Sequence, residues 1–245
     1  MQIPVVIQAG GKGTRLYPLT KVVPKPLVPI GGRPILEIVI RQLAAAGFRE
    51  FHITIGYLGE MIRWCIGDGR KWGVQVHYWE ETEPLGTMGP LRQIEGLTGP
   101  CMVLNGDLLT NIDFASFWSH HVNSRNHLTV ATYKKPVQVS LGVLDVQADG
   151  RVSGFREKPV FEYSCSMGIY GLSPEALSLI PENQYYGFDD LMHCMLREGH
   201  PVGAYAFGGE WLDIGRHEDL AAACERFEQS PELFLPAAAV AGRAA

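Results

Sequence analysis

The sequence predicts an α/β fold, a mixed and mainly parallel sheet flanked by helices with a smaller second lobe, and three observations predict it. Residues 3–9 form a short apolar run that ends in glycines, as a strand buried on both faces and followed by a tight loop does. Pro34 then opens a helical stripe of apolar residues at Ile35, Leu36, Ile38, Val39, Ile40, Leu43 and Ala46, which stops at Gly47. Residues 52–55 read as the next strand, so the chain begins strand, loop, helix, strand.

The alternation continues. Residues 61–66 read as helix, 74–79 as strand, 88–94 as a short helix and 101–104 as a buried strand. Strands separated by helices make a parallel sheet covered on both faces, with ligands beyond the carboxyl ends of the strands. After Asn126 strands dominate, at 128–133, 141–146, 151–155 and 166–172, with Asp149-Gly150 supplying a hairpin turn. Residues 174–179, 189–198 and 217–229 read as helices, and the alanine-rich stretch 233–245 as frayed or packing chain.

Composition narrows the function classes. With 46% hydrophobic and 19% charged residues in 245, the chain can bury a sizeable core. Its 21 basic and 26 acidic residues give a formal charge of -5 without a run of one sign, which argues against a nucleic-acid or membrane partner. The five cysteines are widely spaced and never in C-x-x-C, so neither a zinc site nor a disulfide framework is indicated. Free thiols, no signal-like N-terminus and no apolar run near ~18 residues predict a cytoplasmic protein.

The chemistry concentrates in a few segments. Ala9-Gly10-Gly11-Lys12-Gly13-Thr14-Arg15 follows the first strand, and its small residues let backbone N–H groups approach a phosphate beside the Arg15 charge. The spacing fits neither dinucleotide nor P-loop fingerprints, so a structural glycine turn reads equally well from this segment alone. Asn105-Gly106-Asp107 follows an apolar strand, where Asp107 would emerge at the carboxyl edge as a hard oxygen ligand for Mg²⁺; a plain turn is the alternative. Asp213 reads either as a helix cap or as a second carboxylate, and Glu157-Lys158-Pro159 alone reads as a solvated surface pair. His120, His121 and His127 lack ligand spacing, and Ser140 lacks a nucleophile context.

The stretch from Gly10 through Tyr17-Pro-Leu-Thr-Lys-Val-Val-Pro-Lys25-Pro-Leu-Val-Pro-Ile30 resembles the signature of sugar-1-phosphate nucleotidylyltransferases. The resemblance runs from Val5 to about Leu220 with its pieces in the family's order, and is similar above all to mannose-, amino-sugar- and heptose-type guanylyltransferases. It implies a Rossmann-like, glycosyltransferase-A-like nucleotidyltransferase fold, a single domain over 1–245. Its nucleotide-binding part would be about 1–126, its sugar-binding part about 127–215, and its C-terminal helix and tail 216–245.

The resemblance also implies roles. Arg15, Lys25, Asp107 and Asp213 would be catalytic, with Asp107 and Asp213, the latter in Trp-Leu-Asp-Ile-Gly, holding Mg²⁺. Ala9, Gly10, Gly11, Gly13, Thr14, Asn105 and Gly106 would bind the nucleotide, together with Glu81, Pro84, Gly86 and Thr87 of a base-recognition loop. A carboxylate at Glu81 can accept from guanine N1–H and N2–H₂ together, or from the single N3–H of uracil, which favours GTP over UTP or dTTP. Gly142, Glu157, Lys158, Met167 and Gly168 would meet the sugar phosphate, although Leu141 stands where relatives carry an aromatic and Ser166-Met167 where they often carry Asn-Ala. The substrates implied are a nucleoside triphosphate and a sugar 1-phosphate, with a cyclitol or polyol phosphate, or an inactive nucleotide-binding paralogue, as alternatives. A homo-oligomer is left open.

Overall fold

The computed structural model describes residues 3–235. The chain opens on β1 (Pro4–Gln8), passes the short pair β2 (Pro29–Ile30) and β3 (Arg33–Pro34), and enters α1 (Ile35–Ala45). There follow β4 (Glu50–Ile55), α2 (Gly59–Ile66), β5 (Gln75–Glu80), β6 (Cys101–Asn105), β7 (Leu108–Thr110) and α3 (Phe114–Ser124). The second half holds β8 (Leu128–Gln138), β9 (Val143–Val146), β10 (Val152–Arg156), β11 (Val160–Leu172), α4 (Pro174–Ser178) and α5 (Phe188–Glu198). It ends with β12 (Val202–Phe207), β13 (Trp211–Asp213) and α6 (His217–Gln229). The predicted alanine-rich tail from 236 onward lies outside the described residues, but Phe234 and Leu235, at its start, are buried.

Seven strands form one sheet in the order β12-β8-β11-β6-β1-β4-β5. All neighbours are parallel except those of β11, which runs antiparallel to both β6 and β8. From β1 the chain builds outward to β4 and β5, then crosses back to lay β6 on the other side of β1. That reversal makes a crevice between the carboxyl ends of β1 and β6. Alternate residues serve opposite faces, as the pleat requires: Val5 and Ile7 join one hydrophobic cluster and Val6 the other. The first cluster takes Ile35 and Leu36 of α1, Ile62 of α2, Phe117 of α3 and Phe227 of α6, while the second takes Leu177 of α4 and Leu191 of α5. Helices therefore cover both faces, as the sequence predicts.

The differences from the sequence reading have local causes. α3 is absent from that reading because its apolar positions, Phe114, Phe117, Trp118 and His121, are aromatic or titratable rather than aliphatic, although their spacing is helical. Its start is nevertheless signalled: the Asp113 carboxylate accepts from the amides of Ala115 (2.9 Å) and Ser116 (3.1 Å). β12 also goes unread, since small and exposed residues in Val-Gly-Ala-Tyr-Ala-Phe hide the period. The stretch expected as a short helix at 88–94 is a 3₁₀ turn, Gly89–Gln93.

β8 and β11 are longer than predicted because they continue beyond the main sheet as a two-stranded arm, pairing Lys134 with Ser164 through to Gln138 with Val160. The β9–β10 hairpin lies between them in sequence, turning at Gly150 with φ of 84°. The arm bends where the register slips between Ser166 and Tyr170, a bulge centred on Met167 and Gly168.

His121 is 3% exposed, lies against Gly171, and its Nδ1 is 2.8 Å from Thr129 Oγ1. Burial first, and the neighbouring His120 charge second, push its pKa down to about 4 from 6.5. A lowered histidine is neutral in the fold, so its stability is complete above about pH 6.5 and is lost as pH falls toward 4. We expect urea unfolding to lose on the order of 2 kcal/mol between pH 7 and 4.5, with a shallower slope in His121→Gln.

Candidate functional site

Three segments leave the carboxyl edge of the sheet and meet at the crevice. After β1 the Ala9 amide donates to the Thr54 carbonyl at 2.9 Å, which keeps the chain beside β4 before the glycine loop turns. Gly13 takes φ of 59°, a left-handed conformation that suits glycine. A Cβ there would come within 3.0 Å of Lys25 Cβ, so its absence lets Lys25 cross the loop. The Thr20 hydroxyl donates to the Gly13 carbonyl at 2.7 Å and closes the turn.

After β6 the Gly106 amide donates to the Gln8 carbonyl at 2.9 Å, and a Cβ at 106 would stand 3.0 Å from that same oxygen. Asp107 is thereby carried over the end of β1, where its carboxylate pairs with the Lys25 ammonium. The two side chains are only 10% (Lys25) and 23% (Asp107) exposed, so removing either leaves the other desolvated and unpaired. Asp213 arrives from β13, whose antiparallel register sets it opposite Leu108, one residue beyond Asp107. Arg15 lies over the next turn, its Nη1 3.0 Å from where a Gly215 Cβ would be.

Two cavities occupy this crevice. The smaller, about 230 Å³, is lined by Ala9, Gly11, Gly13, Thr14, Arg15, Lys25 and Asp107, with Gln8 and Pro26. The larger, about 810 Å³, is lined by Gly10, Gly11, Glu81, Pro84, Gly86, Thr87, Asn105 and Asp107, among others. They share Gln8, Gly11 and Asp107.

Glu81 leans on Gly10, where a Cβ would fall 2.5 Å from Oε1, and its Oε2 accepts from the Leu85 amide at 3.3 Å. Burial pushes its pKa above the usual 4.5, and the Leu85 amide partly opposes that. The Thr87 hydroxyl accepts from the Phe188 amide at 2.7 Å, and its carbonyl accepts from the Gln8 side chain.

The remaining predicted residues lie away from these two cavities. Gly142 and Glu157 come together on the second lobe, with Glu157 Oε2 3.4 Å from the Gly142 Cβ position. Lys158 next to them has φ of 44°, unusual for a residue with a side chain. In the bulge, Gly168 at φ of 74° lets the Asn105 amide approach to 2.5 Å of its Cβ position. Met167 buries its side chain, and its carbonyl accepts from Trp211 Nε1 at 3.1 Å.

Several cleft residues escape the sequence reading: Gln8, Thr54, Tyr57 and Tyr185 all line the larger cavity. Gln8 and Thr54 face each other in register, and Gln8 Oε1 and Thr54 Oγ1 are both buried without a hydrogen-bond partner. The signal was available for Gln8, a polar residue closing an apolar strand at the edge where ligands bind.

Among the described residues, no helix is long and apolar enough to cross a membrane. A family model described as nucleotidyl transferase matches residues 4–230. The UTP–glucose-1-phosphate uridylyltransferase of Synechocystis sp. is 32% identical over 234 residues, 87% of this chain and 60% of its own length. The mannose-1-phosphate guanylyltransferase of Mycobacterium tuberculosis is 30% identical over 226 residues, 89% of this chain and 62% of its own. The chain thus spans 60% and 62% of the length of these two relatives.

Among solved structures, HddC from Yersinia pseudotuberculosis complexed with GMP-PN is similar at a TM-score of 0.70 and 26% identity, covering 92% of this chain and 100% of that one. A Bacillus anthracis protein in complex with sucrose shares the fold at a TM-score of 0.73 and 24% identity, covering 91% of this chain and 94% of that one. With the match running from 4 to 230, almost the whole described length, the chain belongs to the nucleotidyl transferase family.

Proposed function

We propose that this chain transfers a nucleoside monophosphate from a nucleoside triphosphate, GTP by preference, to a sugar 1-phosphate and releases pyrophosphate. The observation that carries this reading is the convergence of Arg15, Lys25 and Asp107 on a glycine-lined cavity that shares its wall with the larger cavity holding Glu81. The names of the Synechocystis and Mycobacterium relatives, and the GMP-PN held by the Yersinia protein, support it.

An oxygen of the sugar phosphate is anionic at neutral pH, so the reaction requires no side-chain base. That oxygen forms a bond to the α-phosphorus as the bond to the bridging oxygen breaks, and the electron pair departs with pyrophosphate. The rate then depends on alignment and charge stabilisation. The glycine loop, from Ala9 to Thr14, together with Asn105 and Gly106, holds the nucleotide. Arg15 and Lys25 offset charge growing on the α-phosphate and on the leaving group. Lys158 holds the attacking phosphate against repulsion, while Glu157, Gly142 and the bulge at Met167 and Gly168 meet the sugar.

Asp107 and Asp213 fit Mg²⁺, because two carboxylates on neighbouring strand ends supply hard oxygen donors. An ion held there by two carboxylates would complete its shell with water and substrate phosphate. When bound there, Mg²⁺ would neutralise phosphate charge. Glu81 supplies base choice: two acceptor oxygens match guanine's two adjacent donors, whereas uracil offers one.

Pyrophosphate release measured with Mg²⁺ over GTP, UTP, dTTP, CTP and ATP against several sugar 1-phosphates tests the whole reading. One strong pair with GTP is the expected result, and silence across the matrix overturns it. Asp107→Asn should lower kcat by roughly 100-fold or more while circular dichroism stays native, and Lys25→Ala should lower kcat more than it raises KM. For Glu81→Gln we expect kcat/KM with GTP to fall roughly 10- to 100-fold, with a smaller fall for UTP. Because the ionised form does the reading and burial raises the Glu81 pKa, affinity for GTP should decline as pH falls, starting above the usual 4.5, and Glu81→Gln should remove that acid limb.

A further inference from the structure

Residues 184–186 run alongside the 85–89 loop and are fastened to it at Tyr186, next to Tyr185. The Tyr186 amide donates to the Leu85 carbonyl at 2.9 Å, and the Tyr186 carbonyl accepts from the amides of Met88 (2.9 Å) and Gly89 (3.0 Å). Glycines permit this closeness. A Cβ at Gly86 would lie 2.7 Å from the Tyr186 carbonyl oxygen, and one at Gly89 would lie 2.7 Å from that of Gln184. Three hydrogen bonds at Tyr186 and the close approach of Gln184 to Gly89 set Tyr185 beside the 85–89 loop.

The two tyrosines differ in what they meet. Tyr186 packs against the hydrophobic cluster under α4 and α5. Tyr185 is 67% exposed and lines the larger cavity together with Gly10, Gly56, Glu81 and Thr87. Among the described residues its ring has no hydrogen bond and no ring contact, so it is a large apolar face held at a cavity wall without a partner. Glu81, on the same cavity, offers carboxylate oxygens suited to the edge of a heteroaromatic ring but nothing to its face.

We propose that Tyr185 stacks on the nucleobase of the bound triphosphate, supplying affinity through the face of the base while Glu81 reads its edge. This rests on the nucleotide-binding reading of the same cleft. Stacking is available to any base, since each presents a π-face, and a purine presents the larger one. Removing an aromatic platform of this kind weakens binding by roughly 5- to 100-fold. Because Tyr185 is exposed and contributes no core contact, its truncation leaves the fold in place.

The test is calorimetric titration of the full chain with GTP and, separately, with tripolyphosphate, which keeps the charge and lacks the base. Tyr185→Ala should weaken GTP roughly 5- to 100-fold, with a smaller loss for UTP, and leave tripolyphosphate affinity within about twofold of wild type. Tyr185→Phe should restore GTP affinity. Unchanged GTP binding by Tyr185→Ala, or a parallel loss of both ligands, overturns the stacking role. Wild-type protein that binds tripolyphosphate but no nucleoside triphosphate overturns the nucleotide reading itself and this proposal with it, a result separable from the other two because it appears before any substitution.

Discussion

The parallel pairing of β1 with β6 places two loops side by side at one edge of the sheet, and the rest of the cleft is arranged around that adjacency. A hydrogen bond from Gly106 to the Gln8 carbonyl extends the pairing past the end of β6. Because glycine occupies 106, the chain can make that bond without a clash, and Asp107 is carried to the end of β1 where Lys25 waits. Slippage of β6 by one residue would turn its side chains to the opposite faces and take Asp107 away from the loop.

Charge explains why this corner is held by more than backbone. An ammonium and a carboxylate that are both largely removed from water strengthen each other, yet neither is stable there alone. The pair therefore fixes Lys25 across the glycine loop, and the β7–β13 register sets Asp213 opposite Leu108, the residue after Asp107. Arg15, lying over Gly215, stays close to the same strand end from the other side.

Much of this architecture was legible because buried parallel strands announce themselves as apolar runs and α1 as an aliphatic stripe. α3 was hidden by its aromatic and histidine core positions, and β12 by its small residues. For the cleft, Gly10 through Arg15 and Asn105 through Asp107 stood out as loops after strands, and Lys25 and Asp213 through the family resemblance. Tyr57, in Gly-Tyr-Leu, and Tyr185, in Gln-Tyr-Tyr, gave no such signal, since neither lies in a pattern that marks a site. Their position is set by tertiary hydrogen bonds, such as that from the Tyr57 hydroxyl to the Lys21 carbonyl, that no local pattern encodes.

The reversed direction of β11 has a consequence for how the cleft is assembled. A strand running against its neighbours brings its own interior to the edge where the others end, so the bulge at Met167 and Gly168, where the β8 ladder is interrupted, sits beside Asn105 at the end of β6. The conformational entropy of that wall is lost when the chain folds, before any ligand arrives. Asn105, which lines the larger cavity, thus stands against a wall set by the sheet itself, and that side of the cleft is a preorganised template.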